Sequence, residues 1–458
     1  MGKQIDEINK MLAGAEAPVT DECCIYRVPF NIRRHKEDAY TPMVVSIGPF
    51  HHNTLDRLHN MQRHKLNYCK AILQRTQTTP ATWIDYIERM EPQIRRCYSD
   101  PVHFSKEKLV EIIFVDSGFI LELFCRYSEE RSNWSKDDVC LSKSWLRLSI
   151  RQDLLLLENQ IPFFVLQSLY EAFVSTSNKF IWLTVYYFYC YKSSISSCDD
   201  TISINHFTDL LRIFHSPTKI DVDKPNTQHP TVFSVCLETC LKNGKVMKVL
   251  DRIKHEVRWM KLKIKDTLSC QRKERSEWTL PSATELHEAG VKFELNNKTC
   301  LVDLKFKKPV LTIPQLKVED WTETLFRNMV ALEQCHFQGE SYITHYVQIM
   351  DFLVNTTRDV DFLVREGILL NWLGDSASVA NLFNGLGKNI TISEIPDYSL
   401  LYQELNAFHR SRWNNLKSTL RLNYCKTAWQ TIATFAAILL LFLAIVQTLC
   451  SVLQVKPQ

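Results

Sequence analysis

The chain of 458 residues is poor in glycine, with only 11. Sandwiches and propellers need many tight turns, which glycine serves best, so its scarcity disfavours these all-β architectures. Hydrophobic residues (45%) and charged residues (23%) occur in ordinary globular proportions, which predicts a packed core. The net charge of +4 is too small to indicate nucleic-acid binding, and no nucleic-acid partner is expected.

Paired cysteine motifs are missing, although the chain contains 15 cysteines. No CxxC occurs, and the nearest spacings are Cys23-Cys24 and Cys236-Cys240. A structural zinc site needs two closely spaced ligand pairs, and a disulfide framework is unusual in a chain of this length. The cysteines are therefore interpreted as buried thiols in a reducing compartment.

The standard catalytic and cofactor-binding motifs are absent as well. His287-Glu288 begins like the zinc motif HExxH, but Val291 occupies the second ligand position. The Gly-Lys pairs at 244–245 and 387–388 lack the earlier glycine and the following Ser or Thr of a phosphate-binding loop. Neither GxSxG nor GxGxxG occurs, so we assign no catalytic residue, no cofactor and no metal ligand.

Three polar side chains remain candidates for a site that no motif identifies. His51 and His52 are adjacent, and adjacent side chains diverge, which favours hydrogen bonding at a turn over joint metal binding. Glu158 is interpreted as a polar group at a helix end, because a lone carboxylate has no second one to act with. An enzyme whose folding brings these three residues together stays open as the alternative.

The two ends of the chain differ. The N-terminus lacks the apolar segment of a secretory signal. From Thr427 to Val455 the chain carries no charged residue. Its apolar centre, Ile432–Val455, would form a helix about 36 Å long, enough to cross a hydrocarbon core of about 30 Å with some tilt. We therefore predict one transmembrane helix over 427–455, with membrane lipid as its partner.

The charges around this segment predict its orientation. Five basic residues and no acidic one lie between Arg410 and Lys426, whereas only Lys456 follows the segment. Basic flanks stay in the cytoplasm, so we predict a cytoplasmic body on the plasma membrane or an endomembrane. Four glycosylation sequons stand against this orientation, because they are modified only on the other side: Asn133, Asn297, Asn355 and Asn389.

The rest of the chain shows mainly helical periodicity, as in the apolar stripe from Leu109 to Phe124. Further helices are predicted at Tyr342–Asn355, Asp361–Leu373 and Ala377–Leu386. Alternation of period two instead predicts an antiparallel hairpin of Val291–Leu295 with Thr299–Phe306, and Val310–Ile313 as a third strand. The predicted class is α+β, a predominantly helical body with a small antiparallel hairpin or sheet and one C-terminal transmembrane helix.

Two further features are open to simple interpretations. The basic stretch from Arg252 to Arg275 is interpreted as a solvated helix face, with a patch for a membrane or an acidic partner as the alternative.

Cys335-His336 would be neighbours on a helix, where consecutive side chains do not face each other. A direct thiol–imidazole pair is therefore not expected there.

Several long strings resemble the plant family called "domain of unknown function 247". They include IYRVPFNIRRHKEDAYTPMVVSIGPFHH (25–52), DLLLLENQIPFFVL (153–166), LPSATELHEAGVKFE (280–294) and TETLFRNMVALEQCH (322–336), in the family's order over roughly 23–425. The resemblance implies a plant protein with a C-terminal membrane helix. It supplies no agreed activity, cofactor or catalytic residue. Some members are associated with pollen–stigma self-incompatibility in grasses, and others with reproductive development.

These observations predict a tail (1–22), a helical family domain (23–425), the transmembrane helix (427–455) and a short tail (456–458). The leading functional hypothesis is a membrane-anchored recognition or signalling protein that acts through contacts with an unknown protein partner. The competing hypothesis is an enzyme with an unrecognised site. A pocket with convergent titratable groups would favour the enzyme, and a broad exposed aromatic patch would favour recognition.

Overall fold

The computed structural model describes most of the chain between residues 2 and 411. The ranges are 2–13, 22–129, 134–175, 180–188, 203–215, 279–296, 300–337, 339–391 and 398–411, with five single positions between 436 and 447. All elements below belong to one compact unit. The basic stretch from Arg252 to Arg275 lies outside the described residues, as does nearly all of 427–455.

Helices dominate the described chain. In chain order the α-helices are α1 Gly2–Ala13, α2 Phe30–Arg33, α3 Gln62–Thr76, α4 Pro80–Arg96, α5 Lys106–Ser128, α6 Val139–Ser142, α7 Ser144–Asp153, α8 Phe163–Leu169, α9 Phe180–Tyr187, α10 Phe207–His215, α11 Ala283–Glu288, α12 Thr322–Cys335, α13 Tyr342–Leu353, α14 Thr357–Arg365, α15 Ser376–Leu386 and α16 Ser399–His409. Short 3₁₀ turns lie at Glu37–Tyr40 and Asp56–Met61, and a π turn at Tyr170–Val174 follows α8.

α5 is the central helix of the N-terminal half. It is buried almost continuously from Leu109 to Phe124, and both α3 and α4 pack against it. Gly118 permits the closest approach, because a Cβ there would lie 2.8 Å from Cys69 Sγ and 3.2 Å from the Cys69 Cα of α3. The apolar stripe seen in the sequence therefore belongs to a helix buried on several sides.

In the C-terminal half, α12 packs against α10 and α13. Glu333 on α12 fixes the start of α13, where helical N–H groups lack partners within the helix. Its carboxylate accepts from Ile343 N at 3.0 Å, from Thr344 N at 2.8 Å and from Thr344 Oγ1 at 2.7 Å. A negative charge at a helix N-terminus is also favoured by the helix dipole.

Two small sheets complete the described body. Strand β1 is Lys292–Asn296, β2 is Lys305–Lys307 and β3 is Val310–Pro314. β3 lies between the other two, parallel to β1 and antiparallel to β2. Strands β4 (Leu316–Val318) and β5 (Leu369–Asn371) pair in parallel as a second sheet.

The strand pairing corrects the predicted hairpin. The third strand at Val310–Ile313 is confirmed, but it separates the two segments that were expected to pair directly. We expected Val291, Phe293 and Leu295 on the buried side, and Val291 and Phe293 are buried whereas Leu295 is half-buried. Alternation shows which face of a strand is buried and not which strand lies beside it, so it cannot exclude a parallel partner reached by a crossover.

The predicted helix at 361–373 is also too long. α14 ends at Arg365, and the chain then forms β5. Gly367 has a φ of 74°, a left-handed conformation that glycine adopts without strain and that ends the helix. The helices predicted at 342–355 and 377–386 agree with α13 and α15 within two residues at each end.

The helix-dominated α+β body is confirmed, but the predicted transmembrane helix is wrong. Among the residues that the structure describes, no helix is both long and apolar enough to cross a membrane. The longest described helix, α5, has 23 residues and contains buried carboxylates, among them Asp116 and Glu122. An uncharged run spans a bilayer only as one continuous helix of about 20 residues.

Of residues 427–455 the structure describes only five positions: Ala436, Leu440, Leu443, Ala444 and Gln447. The expectation of a single-pass membrane protein with a cytoplasmic body rested on the predicted helix and is corrected with it. Lipid as a partner stays a prediction.

His206 immediately precedes α10, and its ring is buried. Nε2 lies 3.0 Å from Cys24 O, and the Asp209 N–H donates to Nδ1 at 3.3 Å. The ring must therefore be neutral with its proton on Nε2, because a proton on Nδ1 would face the Asp209 donor. Burial is the main cause that lowers the pKa of His206 to about 4, with Asp209 opposing it.

We expect His206 to make the protein sensitive to acid. Its folded-state pKa lies below the unfolded value of about 6.5, so its stabilisation is complete above that pH and is lost as pH falls towards 4. Between pH 7 and 5 the free energy of unfolding should fall by about 2 kcal/mol through this group. Denaturant unfolding at both pH values should show a smaller fall for His206→Gln.

The matched control is His59→Gln, because His59 is exposed. This variant should lose as much stability between pH 7 and 5 as the wild type does. An equal loss in wild type and His206→Gln would contradict the assignment.

Candidate functional site: the pocket over Glu158

The segment between α7 and α8 carries three consecutive buried polar residues. Glu158, Asn159 and Gln160 are each at most 1% exposed, although they lie outside any helix. Pro162 occupies the N-cap of α8. Buried polar side chains must find partners, and here those partners include backbone groups of distant segments.

Asp153 and Asn159 hold residues 43–47, an irregular segment that belongs to no helix or strand. The Asp153 carboxylate accepts from the N–H groups of Met43, Val44 and Val45 at 2.7, 2.7 and 2.8 Å. Asn159 accepts from Ile47 N at 2.7 Å and donates to Val45 O at 3.0 Å. Side chains here satisfy backbone groups that take part in no secondary structure.

An ion pair between Lys65 of α3 and Asp116 of α5 also binds the backbone next to this segment. Lys65 Nζ donates to Ser46 O at 2.9 Å, and Asp116 accepts from Gly48 N at 2.9 Å. Gly48 has a φ of 70°, and a Cβ there would lie 2.4 Å from Gln160 O, so only glycine fits. Residues 45–52 (VSIGPFHH) and 157–162 (LENQIP) are thus joined by buried hydrogen bonds, such as those between Asn159 and the backbone of Val45 and Ile47.

Glu158 lies at the centre of the pocket floor. It accepts from Val28 N at 2.7 Å and from the Arg33 guanidinium, and Arg27 Nη1 lies 3.7 Å from Oε2. His51 Nε2 lies 3.4 Å from the same oxygen. Burial alone would raise the pKa of Glu158, but the nearby His51 ring and the hydrogen bonds from Arg33 and the Val28 N–H lower it overall. The carboxylate is therefore ionised.

Above this carboxylate is a pocket of about 470 Å³. Arg27 lies over the Phe50 ring with its guanidinium carbon 4.4 Å from the centroid, and it pairs with Asp100 at 3.2 Å. Phe30 is 76% exposed at the rim. The pocket is lined by Arg27, Val28, Phe30, Arg33, Glu37, Thr41, Phe50, His51, Thr54, Leu55 and Glu158.

Two of the three candidate residues meet in this pocket. His51 and Glu158 are brought together, although they are more than 100 residues apart in sequence. His52 is not a lining residue and packs edge-on against Phe104, with ring centroids 5.7 Å apart. Burial, followed by the charges of Lys108 and Lys65, lowers the pKa of His52 to about 4, so this ring is neutral at pH 7.

Sequence reasoning missed Arg27 and Arg33, which contribute the positive charge of the pocket. Their signal was the run RVPFNIRRHK at 27–36, which holds four Arg or Lys residues and no acidic one. Which carboxylate would face this run is a property of the tertiary fold. Among the described residues, no cluster of three or more His, Cys, Asp or Glu side chains is placed to hold a metal ion.

The profile of a plant family of unknown function, DUF247, matches residues 25–443. The chain belongs to this family. It is 26% identical to UPF0481 protein At3g47200 of Arabidopsis thaliana, over 97% of this chain and 91% of that protein. It is also 26% identical to UPF0481 protein At3g02645 of the same plant, over 92% and 89%. No solved structure was found to match the chain.

These comparisons confirm the family resemblance and the plant assignment. The matched relatives are similar over nearly their whole length, and their names state no activity. The function of this DUF247 protein must therefore be argued from the pocket and its surroundings.

We expect Glu158→Ala to destabilise the fold by about 3–5 kcal/mol, because Val28 N–H and the Arg33 guanidinium lose this buried acceptor. Denaturant unfolding measures the change. Glu37→Ala is the matched control: it also removes a carboxylate near Arg33, 3.8 Å away, but from a side chain that is 76% exposed. Its effect should stay within about 0.5 kcal/mol. A loss below about 1 kcal/mol in Glu158→Ala would show that the carboxylate is not a structural anchor.

Proposed function

We propose that this DUF247 protein is a non-enzymatic recognition protein that binds an acidic segment of a protein partner at the pocket over Glu158. The observation that carries the proposal is the combination of an open pocket with arginine and exposed phenylalanine at its edge. Arginine and aromatic residues dominate the binding energy of protein interfaces. Pollen–stigma recognition, which the family resemblance implies for some members, is one setting in which such a partner would occur.

The charges around the pocket favour an acidic partner. Arg34 is exposed and follows Arg33 directly, and the Arg27 side chain is 45% exposed. Glu158 balances one positive charge from below, but it is buried and cannot reach a partner at the rim. Exposed arginines attract acidic surfaces and repel basic ones, which gives specificity as well as faster association. Glu37, which also lines the pocket, and Asp100, which pairs with Arg27, offset part of this positive charge.

Phe30 supplies the apolar part of the same surface. A phenylalanine that is 76% exposed leaves apolar area in water, which a partner side chain can cover. Val28, Phe50 and Leu55 extend this apolar character into the pocket. An aromatic anchor beside a desolvated arginine is a common arrangement at the centre of an interface.

The state of Glu158 favours recognition over catalysis. A general base works best when its pKa lies near the operating pH, whereas the pKa of Glu158 is lowered. Its oxygens are already occupied by Val28 N and Arg33. Such a carboxylate is better suited to hold the pocket wall than to exchange protons with a substrate.

Catalysis by His51 with Glu158 is the second candidate, because the two side chains lie 3.4 Å apart inside the pocket. A histidine oriented by a carboxylate is a frequent general base. Turnover of a substrate that disappears in His51→Ala, with the fold intact, would favour this candidate. On the recognition proposal, His51→Ala and His52→Ala act only through stability or partner binding.

The recognition proposal predicts that the protein partner contacts residue 30 directly. With a photo-crosslinking amino acid replacing Phe30, expression in plant cells should yield a discrete adduct with an acidic protein. The same amino acid replacing Trp372, which is 66% exposed and does not line the pocket, should not yield it. The purified partner should bind the wild-type protein with an affinity that falls as salt rises.

Charge reversal then tests the rim. Arg34→Glu combined with Phe30→Ala should weaken binding of that partner at least about tenfold, which corresponds to about 1.4 kcal/mol. Arg89→Glu, at an exposed arginine on α4, should change it less than about twofold. Equal weakening in both variants, or equal adducts at positions 30 and 372, would contradict the proposed site.

A further inference from the structure

The extended segment that precedes the pocket lies beside Cys97, the C-cap residue of α4. Ile25 and Tyr98 form a parallel β-bridge, so Cys24 and Cys97 occupy the adjacent position of the same register. Cys24 N and Ile25 N both donate to Cys97 O, at 3.0 and 2.9 Å. Backbones paired in this way lie about 4.7–4.9 Å apart. That spacing is within the range of Cα separations found in disulfides.

The two thiols lie close enough for each to shift the pKa of the other. Cys97 Sγ lies 3.4 Å from Gln93 O, to which the reduced thiol donates. Both residues are buried, with exposures of 6% and 4%, and both are free thiols. The neighbouring Cys24 thiol is the main cause that lowers the pKa of Cys97. Cys97 is therefore the better nucleophile of the two.

We propose that Cys24 and Cys97 are an oxidation site, a dithiol that a small peroxide converts into a reversible disulfide between the segment at 24–28 and the end of α4. A small uncharged oxidant is the class of reagent that fits two thiols with so little exposed surface. This proposal is independent of the function proposed for the pocket.

The reaction balances with one peroxide. The Cys97 thiolate attacks a peroxide oxygen, so an S–O bond forms, the O–O bond breaks, and the leaving hydroxide takes up the Cys97 proton as water. The Cys24 sulfur then attacks the sulfenic sulfur, so the S–S bond forms and the S–O bond breaks. The second hydroxide takes up the Cys24 proton. Two thiols and one hydrogen peroxide thus give one disulfide and two waters.

Neighbouring cysteines provide the controls. Cys23 precedes Cys24 and interacts with Tyr26, and its sulfur is bonded to neither Cys24 nor Cys97. Cys125 lies on α5, is less deeply buried than Cys24, and is also a free thiol. Neither is expected in the proposed disulfide, so Cys23→Ser and Cys125→Ser should both leave it intact.

Peptide mapping of the folded full-length protein tests the site. After treatment with hydrogen peroxide and blocking of free thiols, trypsin should release residues 11–27 linked to residues 97–106, because cleavage after Lys10, Arg27, Arg96 and Lys106 isolates the two cysteine peptides. Dithiothreitol should separate them. The link should persist in Cys23→Ser and vanish in Cys24→Ser and Cys97→Ser.

Oxidation should also raise the thermal midpoint of the wild type, on the order of 5 °C, because the disulfide closes a long loop of the unfolded chain. Cys24→Ser should show no such rise. Absence of the linked peptide in wild type, or its persistence in Cys24→Ser through Cys23, would overturn the proposal. The wild-type map requires no variant, so a variant that fails to fold does not obscure the result.

Discussion

The carboxylate of Glu158 is the interaction on which the N-terminal half of this DUF247 protein depends. It is fully buried, yet it joins three parts of the chain that have no helix or strand in common: the extended residue Val28, the short helix with Arg33, and the loop with His51. A buried charge is costly unless it is paired and hydrogen-bonded. The surrounding segments can therefore take only the positions that satisfy it.

Other buried polar side chains of residues 153–160 also bind distant backbone segments. Asp153 and Asn159 together bind backbone groups of residues 43–47, which belong to no helix or strand. Asn328 of α12 joins the framework by accepting from Leu157 N at 2.9 Å and donating to Ala39 O at 2.7 Å. Hydrogen bonds between charged and neutral groups contribute about 1.5–3 kcal/mol each. Buried side chains here replace secondary structure as the source of order.

Because buried side chains fix the backbone where secondary structure does not, only part of the fold could be predicted from the sequence. Helices follow from apolar periodicity, which is local, and the capping box of Ser282 and Glu285 at α11 is a local sequence pattern as well. Strand partners are not local, so the β1–β2 hairpin was wrong. The uncharged run at 427–455 is a local pattern as well, and it predicted a membrane helix that the described residues do not support.

The pocket could not be predicted for a related reason. Its arginines and His51 lie within residues 27–51, whereas the carboxylate that organises them lies at 158. A lone glutamate in an apolar run gives no indication of which cations it will meet. The buried string LENQ could have been recognised as structural, because three consecutive polar residues among leucines must find partners inside the fold. Its partners become known only from tertiary structure.

The residues of the pocket floor are bound within the protein, whereas those at its rim are exposed to solvent. Glu158, Asn159 and Gly48 are held by contacts inside the protein, so substitutions there cost stability before they affect any partner. Phe30 at the rim is exposed, as is Arg34, whose N–H donates to Phe30 O, and exposed positions usually tolerate substitution within about 0.5 kcal/mol. A protein built in this way can change the partner that it recognises while it keeps the pocket that presents the rim. Specificity and stability are thus carried by different residues of one site.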